Sequence, residues 1–474
     1  MNASSPAFPQ LAERFAAQRR AFAADPNPPA AARRERLDRL LKLIDDNEDA
    51  FVAAVDADFG GRAAQETRIA ELFVTRSAVR YARRRLARWM RTRRVATELP
   101  FLPARNRLTP QPLGVVGIVS PWNYPIQLTL SPLVAALAAG DRALIKPSEL
   151  TPRVSALLAE LAAKYFDPDL VSVVVGDAET GKAFVALPFD HLLFTGSTAV
   201  GRQVAAAAAA NLTPITLELG GKSPAIFDPS CDLKQASARL AAGKLFNAGQ
   251  TCVAPDYLMV PRGQADGAAA AVAAAMARLY PTLVANPDYT AIISERHRSR
   301  LIGLVAEARD AGARIVEINP AGESFADSRK LAPTIVIGAP QTARLMREEI
   351  FGPLLPIVEY ERIDEAIAFV NRGERPLALY WFGRDAARRA RVLAETIAGG
   401  VTINDCLLHF AQEGQPCGGV GASGVGAYHG EWGFRTFSKL KPVFHQSDWS
   451  GFPLLRPPYG RMTDWVLGAL KLLP

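Results

Sequence analysis

Short apolar runs alternate with helical patterns over most of this chain, and this alternation admits few folds. The first series comprises the predicted strands 114–120, 142–146, 171–175 and 191–194 and the predicted helices 33–55, 67–90, 128–139 and 152–165. A second series, from 223 to about 400, includes the predicted strands 224–227, 257–260, 333–336 and 353–358 and a helix over 233–246. Alternating strands and helices are typical of a parallel, doubly wound sheet covered by helices. The sequence therefore predicts an α/β protein with two such domains in tandem.

An arginine cluster marks the end of the helical region that precedes the strands. Eight arginines lie within residues 80–94, in a chain with 44 Arg, 11 Lys and a net charge of +8. Such a cluster is able to bind nucleic acid or an anionic surface. Because Leu86, Trp89 and Met90 form an apolar side and no nucleic-acid-binding motif accompanies the arginines, we favour a solvated helix face. We expect no nucleic-acid partner.

Cysteine usage and composition restrict the class of protein further. The 474 residues are 49% hydrophobic and 22% charged, as in soluble globular proteins of several domains. The four cysteines show no zinc or redox spacing, and the five histidines show no metal motif, so we expect a reducing cytoplasm and no metal. The first residues lack the apolar segment of a signal peptide, and no apolar run is long enough to span a membrane.

Cys252 is the candidate nucleophile of the chain. A lone cysteine is usually a small buried hydrophobe. Cys252, however, lies in a polar stretch punctuated by glycine, where we expect the sulfur to be accessible and the backbone to approach a ligand. Glu218 lies 34 residues earlier, before a double glycine, and supplies a possible base. A thiolate with a separate base is the minimum requirement for covalent acyl chemistry.

Two segments have the features of a nucleotide site. Gly196, Ser197 and Gly201 follow a predicted strand and open a helix, whose free N–H groups would face a pyrophosphate. An ordinary strand-to-helix turn explains this segment equally well. Lys146 and Glu149 end another strand, where such sheets bind the adenosine ribose, although a surface ion pair is the alternative.

Two proline-flanked segments offer further polar groups. Trp122 and Asn123 lie between two prolines, so the Asn123 amide is a candidate oxyanion donor, with a structural Asx-turn as the alternative. Glu349 and Phe351 precede the rigid turn at Pro353 and, taken alone, would be an ordinary loop.

In this order and combination, these segments resemble the aldehyde dehydrogenase superfamily over residues 10–445. Residues 418–421 and 428–438 resemble the class 3 and fatty-aldehyde branch, whereas 376–380 and 404–412 resemble bacterial coniferyl aldehyde dehydrogenases. One departure is Cys417, where relatives commonly carry Phe before the double glycine.

The resemblance implies a role for each candidate residue. Cys252 would be the nucleophile, Glu218 the base and Asn123 the oxyanion donor. The cofactor-binding residues would be Lys146 and Glu149 on the adenosine ribose, Glu349 on the nicotinamide ribose and Phe351 against the nicotinamide, together with Trp122, Gly196, Ser197 and Gly201. Tyr124, His409 and Phe410 would line the substrate pocket. The cofactor would be NAD, with NADP also accepted.

The resemblance also implies a domain arrangement and a reaction. We expect an NAD(P)-binding domain (1–94 and 116–220) and a catalytic domain (221–402). A small β oligomerisation extension (95–115 and 403–445) would form a homodimer. The tail (446–474) would pack on the dimer rather than on a membrane. The reaction would be oxidation of an aldehyde, aromatic such as coniferyl aldehyde or medium-chain aliphatic, to the carboxylate through a Cys252 thiohemiacetal and thioester. A cofactor-independent Cys hydrolase and an arginine-rich scaffold are the alternatives.

Overall fold

The first sheet of the computed structural model, which describes residues 9–471, is parallel except at one edge. Its strands in spatial order are Gly424–Val425, Ile215–Glu218, His191–Thr195, Val115–Val119, Arg142–Lys146 and Val171–Val173. Only the short edge strand Gly424–Val425 is antiparallel to its neighbour. The order of the strands reverses between Val115–Val119 and His191–Thr195, and ligands of doubly wound sheets bind at such a switch point.

The second sheet repeats this plan in the later part of the described chain. In spatial order it contains Arg314–Glu317, Thr334–Ile337, Leu354–Tyr360, Tyr257–Pro261, Pro224–Phe227, Ala378–Phe382 and Gly400–Ile403. The edge strand Arg314–Glu317 is antiparallel and the other pairings are parallel. The predicted pair of α/β sheets is confirmed.

A third, antiparallel sheet joins segments that are distant in sequence. It pairs Arg93–Val95 with Arg105–Pro112, and Arg105–Pro112 with Ser438–His445. Within 403–445, Ser438–His445 joins this sheet, whereas Gly424–Val425 extends the first sheet.

The described residues also form α-helices, most of which pack around the two large sheets. They are Pro9–Ala24, Ala30–Asp46, Glu48–Phe59, Ala64–Thr67, Val74–Trp89, Gln127–Ala139, Pro152–Tyr165, Ala178–Val185, Thr198–Ala209, Leu233–Leu245, Ala265–Leu279, Glu295–Asp310, Arg344–Arg347, Ile363–Arg372, Ala386–Glu395, Gly430–Thr436 and Arg461–Leu470. Short 3₁₀ turns occur at Leu99–Phe101, Phe246–Gly249 and Phe452–Leu455, and a π turn at Arg68–Phe73.

The amino-terminal helices differ from prediction in their continuity. The pattern over 33–55 is divided at Asn47 into two helices, and the pattern over 67–90 contains the π turn. Neither break follows a proline or glycine, so apolar spacing did not reveal it. Leu86 and Trp89 are buried, whereas the arginines of 80–94 are exposed except for the half-buried Arg85. The solvated helix face is confirmed.

The carboxyl-terminal tail ends in an exposed helix. Leu455, Val466 and Leu470 lie beside Leu99–Phe101, but Trp465 is 71% exposed. No helix within residues 9–471 combines the length and apolar character needed to cross a membrane.

Candidate active site

Two cavities meet at Cys252, between the two large sheets. The first, of about 430 Å³, opens along the carboxyl ends of the first sheet. Its lining includes Trp122, Asn123, Thr195, Gly196, Ser197, Glu218, Cys252, Arg296, His297, Arg300, Glu349 and Phe351. The second, of about 310 Å³, is almost entirely apolar and also contains Cys252 in its wall. A reacting group on this sulfur therefore has access to a polar chamber on one side and an apolar chamber on the other.

The loop before Cys252 has an unusual backbone that Gln250 holds in place. Asn247 and Ala248 adopt left-handed conformations, with φ of 53° and 50°. Gln250 Nε2 donates to the Asn247 and Ala291 carbonyls, each at 3.0 Å. Left-handed conformations are costly for residues other than glycine and persist where surrounding contacts enforce them, often at functional sites. These contacts set the position of the sulfur.

Burial favours the neutral forms of both Cys252 and Glu218. Burial raises the pKa of the Cys252 thiol to about 12, and the Glu349 and Glu218 carboxylates contribute further. Burial alone raises the pKa of Glu218 to about 8. Both Glu218 carboxylate oxygens lack a hydrogen-bond partner within the described residues. Because only the thiolate is a strong nucleophile, ionisation of the Cys252 thiol has to be coupled to a base.

Asn123 lies near Cys252 in the wall of the polar cavity, and hydrogen bonds fix its side-chain amide and its backbone. Its side-chain Nδ2 donates to the Gln250 carbonyl at 3.2 Å. Its backbone carbonyl accepts from Arg62 Nη1 and Asn247 Nδ2, both at 3.1 Å. An amide nitrogen carries two hydrogens, so one N–H remains for a ligand. Asn123 is 3% exposed, and a buried, fixed donor of this kind suits an oxyanion.

The polar cavity has the features that a dinucleotide requires. Ser197 caps the helix Thr198–Ala209, accepting from Val200 N, so the helix amino terminus opens into the cavity. Thr195 Oγ1 is buried there without a partner in the described chain. The rings of Trp122 and Phe351 lie 5.3 Å apart across the cavity wall. A phosphate-binding helix terminus, an unsatisfied hydroxyl and an aromatic wall fit a nicotinamide dinucleotide.

Glu349 also lines this cavity. Its Oε1 accepts from the Gly221 N–H at 3.1 Å, and burial raises its pKa to about 8, with Asp256 adding to the effect. Glu349 is thus fixed beside the reacting groups.

Three predicted cofactor residues lie outside the cavity lining. Lys146 Nζ bonds Glu149 Oε2 at 3.2 Å, at the carboxyl end of a neighbouring strand. Gly201 lies within its helix, where an added Cβ would come within 2.7 Å of the Leu219 side chain. Gly201 therefore permits close packing of helix on sheet rather than lining the cavity.

The apolar cavity receives two of the three predicted substrate residues. Tyr124 and Phe410 line it, but His409 does not. The His409 ring instead bonds Thr402 Oγ1 at 2.8 Å and packs on Gly400, and burial lowers its pKa to about 4. The structure thus turns His409 away from the pocket, because its Nδ1 is satisfied by the neighbouring strand.

Several lining residues were not predicted. In the polar cavity they include Thr195, Arg296, His297 and Arg300. In the apolar cavity they include Ile69, Val74, Leu128, Phe246, Leu407 and Leu408. Arg296 and Arg300 are four residues apart on the helix Glu295–Asp310, and this spacing on one helix face was a usable signal. Leu407 has a φ of 66°, which no local pattern indicated.

Cys417 occupies a buried position near these cavities. Its backbone exchanges two hydrogen bonds with Tyr428, both at 2.8 Å, and burial raises the pKa of its thiol. Cys417, which stands where relatives commonly carry Phe, is thus a small side chain packed in the core. Among residues 9–471, no three metal-ligating side chains converge on one point.

The chain is similar to proteins of one known family. Residues 9–443 match the sequence pattern described as the aldehyde dehydrogenase family. The chain belongs to the aldehyde dehydrogenase family. A probable coniferyl aldehyde dehydrogenase of Pseudomonas aeruginosa is 48% identical over 95% of this chain and 94% of its own. The coniferyl aldehyde dehydrogenase of Pseudomonas sp. is 47% identical over 92% and 91%.

Solved structures of aldehyde dehydrogenases share the fold. The substrate-bound state of Staphylococcus aureus AldH has a TM-score of 0.92 at 38% identity, covering 97% of this chain and 99% of that one. An E. coli NADP-dependent enzyme has a TM-score of 0.84 at 28% identity, with 92% and 90% covered. An NAD-dependent aldehyde dehydrogenase from Sinorhizobium meliloti also has 0.84, at 27% identity, with 95% and 88% covered.

Proposed function

We propose that this aldehyde dehydrogenase oxidises an aldehyde to its carboxylate with NAD or NADP, through a covalent adduct on Cys252. The observation that carries the proposal is that Cys252 forms part of both cavity walls. A substrate in the apolar cavity and a dinucleotide in the polar cavity would approach the same sulfur. The NAD-dependent and NADP-dependent relatives support the choice of cofactor.

The chain's own residues account for bond formation at the carbonyl. Cys252 attacks the aldehyde carbon as a thiolate, which forms the thiohemiacetal. Asn123 Nδ2 and the Cys252 backbone N–H hold the developing oxyanion, and one such donor is worth about 3–4 kcal/mol. Trp122, Gly196, Ser197, Glu349 and Phe351 would hold the cofactor. When bound, the nicotinamide would supply the redox chemistry by which the adduct on Cys252 becomes a thioester.

Glu218 completes the cycle as a general base. A carboxylate with no protein donor on either oxygen is free to accept a proton from water. The hydroxide so formed attacks the thioester carbonyl, and the acid leaves as Cys252 is released. The raised Glu218 pKa, about 8, makes it a stronger base than an ordinary carboxylate.

The substrate is an aromatic aldehyde such as coniferyl aldehyde, or a medium-chain aliphatic one. The two coniferyl aldehyde dehydrogenases support the first choice, and so do the aromatic side chains of Tyr124 and Phe410 in the wall. A cavity of about 310 Å³ is at the lower end of the range for small-molecule sites.

NAD would be preferred over NADP, with Lys146 and Glu149 on the adenosine ribose. Glu149 would repel a 2′-phosphate, whereas its ion pair with Lys146 moderates that repulsion. The enzyme is a cytoplasmic homodimer in this proposal, with the sheet Arg93–Val95, Arg105–Pro112 and Ser438–His445 as the oligomerisation element.

A spectrophotometric assay of NADH formation with coniferyl aldehyde, benzaldehyde and hexanal tests the proposal. We expect NADH formation with all three in wild type and none in Cys252→Ala. Ester hydrolysis by Cys252 without NADH formation from any aldehyde would favour the cofactor-independent hydrolase instead.

A further inference from the structure

Three charged side chains lie buried behind Asn123, the proposed oxyanion donor, and behind residues 246–251, here called the nucleophile loop. Arg62, Glu66 and Glu71, here called the Arg62 cluster, are 2%, 7% and 0% exposed. Arg62 Nη1 lies 3.0 Å from Glu71 Oε1, and Arg62 Nε lies 3.9 Å from Glu66 Oε2. Burying charges is costly even when they are paired, and such pairs are weak evidence of stabilisation alone. Their contacts indicate another role.

A π turn brings the two carboxylates to one arginine. Glu66 and Glu71 are five residues apart, which would place them about 140° apart around a regular α-helix. The π turn Arg68–Phe73 lies between the helices Ala64–Thr67 and Val74–Trp89, and its wider turn reduces this angle. Single π turns are frequent at functional sites.

The Arg62 cluster holds residues 123–127, here called the oxyanion loop, at two points. Arg62 Nη1 donates to the Asn123 carbonyl at 3.1 Å. Glu71 Oε2 accepts from the N–H groups of Ile126 and Gln127, at 2.7 and 3.2 Å. The backbone is therefore held both at Asn123 and three residues later, at the start of the next helix.

The cluster also holds the nucleophile loop. Glu66 Oε1 accepts from the Asn247 N–H at 3.0 Å, and its Oε2 accepts from the Thr290 hydroxyl at 2.6 Å. Asn247 has left-handed backbone geometry, and its Nδ2 donates to the Asn123 and Gln250 carbonyls. The two loops are thus bonded to each other and to the same buried cluster.

We propose that Arg62, Glu66 and Glu71 are positioning residues that set the separation between the Asn123 amide and Cys252. The inference rests on the proposed roles of Asn123 and Cys252. None of the three cluster residues lines either cavity, so the cluster acts through the two loops. Misplacing a reacting group by about 1 Å can lower a rate by roughly 100-fold.

Arg62→Lys tests this role while keeping the charge. Arg62 Nη1 makes both the Glu71 and the Asn123 contacts, and the guanidinium also lies 4.9 Å from the centre of the Tyr124 ring. A lysine ammonium is a compact point charge on a shorter stem, so it does not reproduce this set of contacts. We expect the first-turnover rate of NADH formation at saturating coniferyl aldehyde and NAD to fall by roughly 10- to 100-fold, with a smaller change in KM.

Arg142→Lys is the matched control. Arg142 is 8% exposed and donates to the carbonyls of Asp169 and Ala21, at the end of its strand opposite the site. Both variants are compared at a temperature at which circular dichroism shows each to be fully folded. If Arg62→Lys retains the rate of Arg142→Lys, a merely structural role is established and the proposal is wrong.

A double-mutant cycle with Asn123→Ala shows whether Arg62 acts through the oxyanion donor. We expect Arg62→Lys to cost much less in the Asn123→Ala background than in wild type, because the positioned group is gone. An equal loss in both backgrounds overturns the proposal. A wild-type rate in Asn123→Ala alone would instead contradict the oxyanion role itself, so the two failures are distinguishable.

Discussion

Glu218 combines the burial and the freedom from partners that a general base needs. Both of its oxygens are buried without a donor in residues 9–471, and desolvation is the cause of its raised pKa. Cys252, with a thiol pKa raised to about 12, is a poor nucleophile until its proton is removed. At the scale of single residues, the proposed mechanism therefore depends on removal of the thiol proton and on a carboxylate whose basicity burial has raised.

Replacing Glu218 by Gln should separate acylation from deacylation. The amide cannot accept a proton from water, so the thioester should accumulate after one turnover. Rapid-mixing measurements should show a burst of NADH of about one equivalent per site, then a steady state about 10²- to 10⁴-fold below wild type. Steady turnover close to wild type would remove Glu218 from the role of base.

The pH dependence of deacylation follows from the direction of the Glu218 shift. Below about pH 8 the raised pKa keeps the carboxyl protonated and inactive as a base, so the rate should rise as pH passes through about 8. Glu349 has a pKa raised to a similar value, so Glu349→Gln is the control. The rise in deacylation rate near pH 8 should persist in Glu349→Gln. Loss of this rise in Glu349→Gln would assign the titration to Glu349.

At the scale of elements, the loop 404–410 sets which of its side chains line the apolar cavity. Asn404 and Leu407 have left-handed φ values of 58° and 66°, and these turns direct successive side chains to opposite sides. Phe410 lines the apolar cavity and His409 bonds Thr402 on the other side. Adjacent residues of one loop therefore have different surroundings.

Phe410→Ala should weaken binding of aromatic aldehydes specifically. Losing an aromatic contact costs about 1–1.5 kcal/mol, which corresponds to a roughly 10-fold higher KM for coniferyl aldehyde. The KM for acetaldehyde should change little. His409→Gln, which retains a hydrogen-bonding group toward Thr402, should leave both KM values near wild type. If His409→Gln raises KM for coniferyl aldehyde more than Phe410→Ala does, His409 contacts the substrate after all.

At the scale of the whole molecule, the tail and the small sheet expose apolar surface together. Trp449 and Trp465 are 84% and 71% exposed, and the tail lies beside Leu99–Phe101. Large exposed apolar patches mark interaction sites. The strands Arg93–Val95 and Ser438–His445 also present the two edges of a sheet, which are prone to pairing with another chain.

Sedimentation of the purified enzyme should give twice the chain mass of 51.0 kDa. A monomer at micromolar concentration would contradict the proposed homodimer.

Deleting residues 452–474 should raise KM for coniferyl aldehyde more than for acetaldehyde, because we propose that the tail lies near the substrate entrance of the dimer. Unchanged kinetics together with lost binding to liposomes would assign the tail to membrane attachment.

The sequence by itself determined several of the strands, and the proposed reactive pair was found from the sequence. Arg142–Lys146 and Pro224–Phe227 have the bounds that the sequence predicts, because strands buried on both faces contain a continuous apolar run. Cys252 and Glu218 lie in glycine-rich segments whose chemistry is local. Such features depend on neighbouring residues in the chain, and a sequence shows them directly.

Tertiary structure alone decided which side chains meet. Glu66 and Glu71 face one arginine only through a π turn, and Arg62 reaches Asn123 across 61 positions of the chain. His409 turns from the pocket because Thr402 satisfies its ring. The Cys252 and Glu218 pKa values also depend on exclusion of water by distant segments. Side-chain direction and burial arise from contacts between remote parts of the chain, and local patterns carry no record of them.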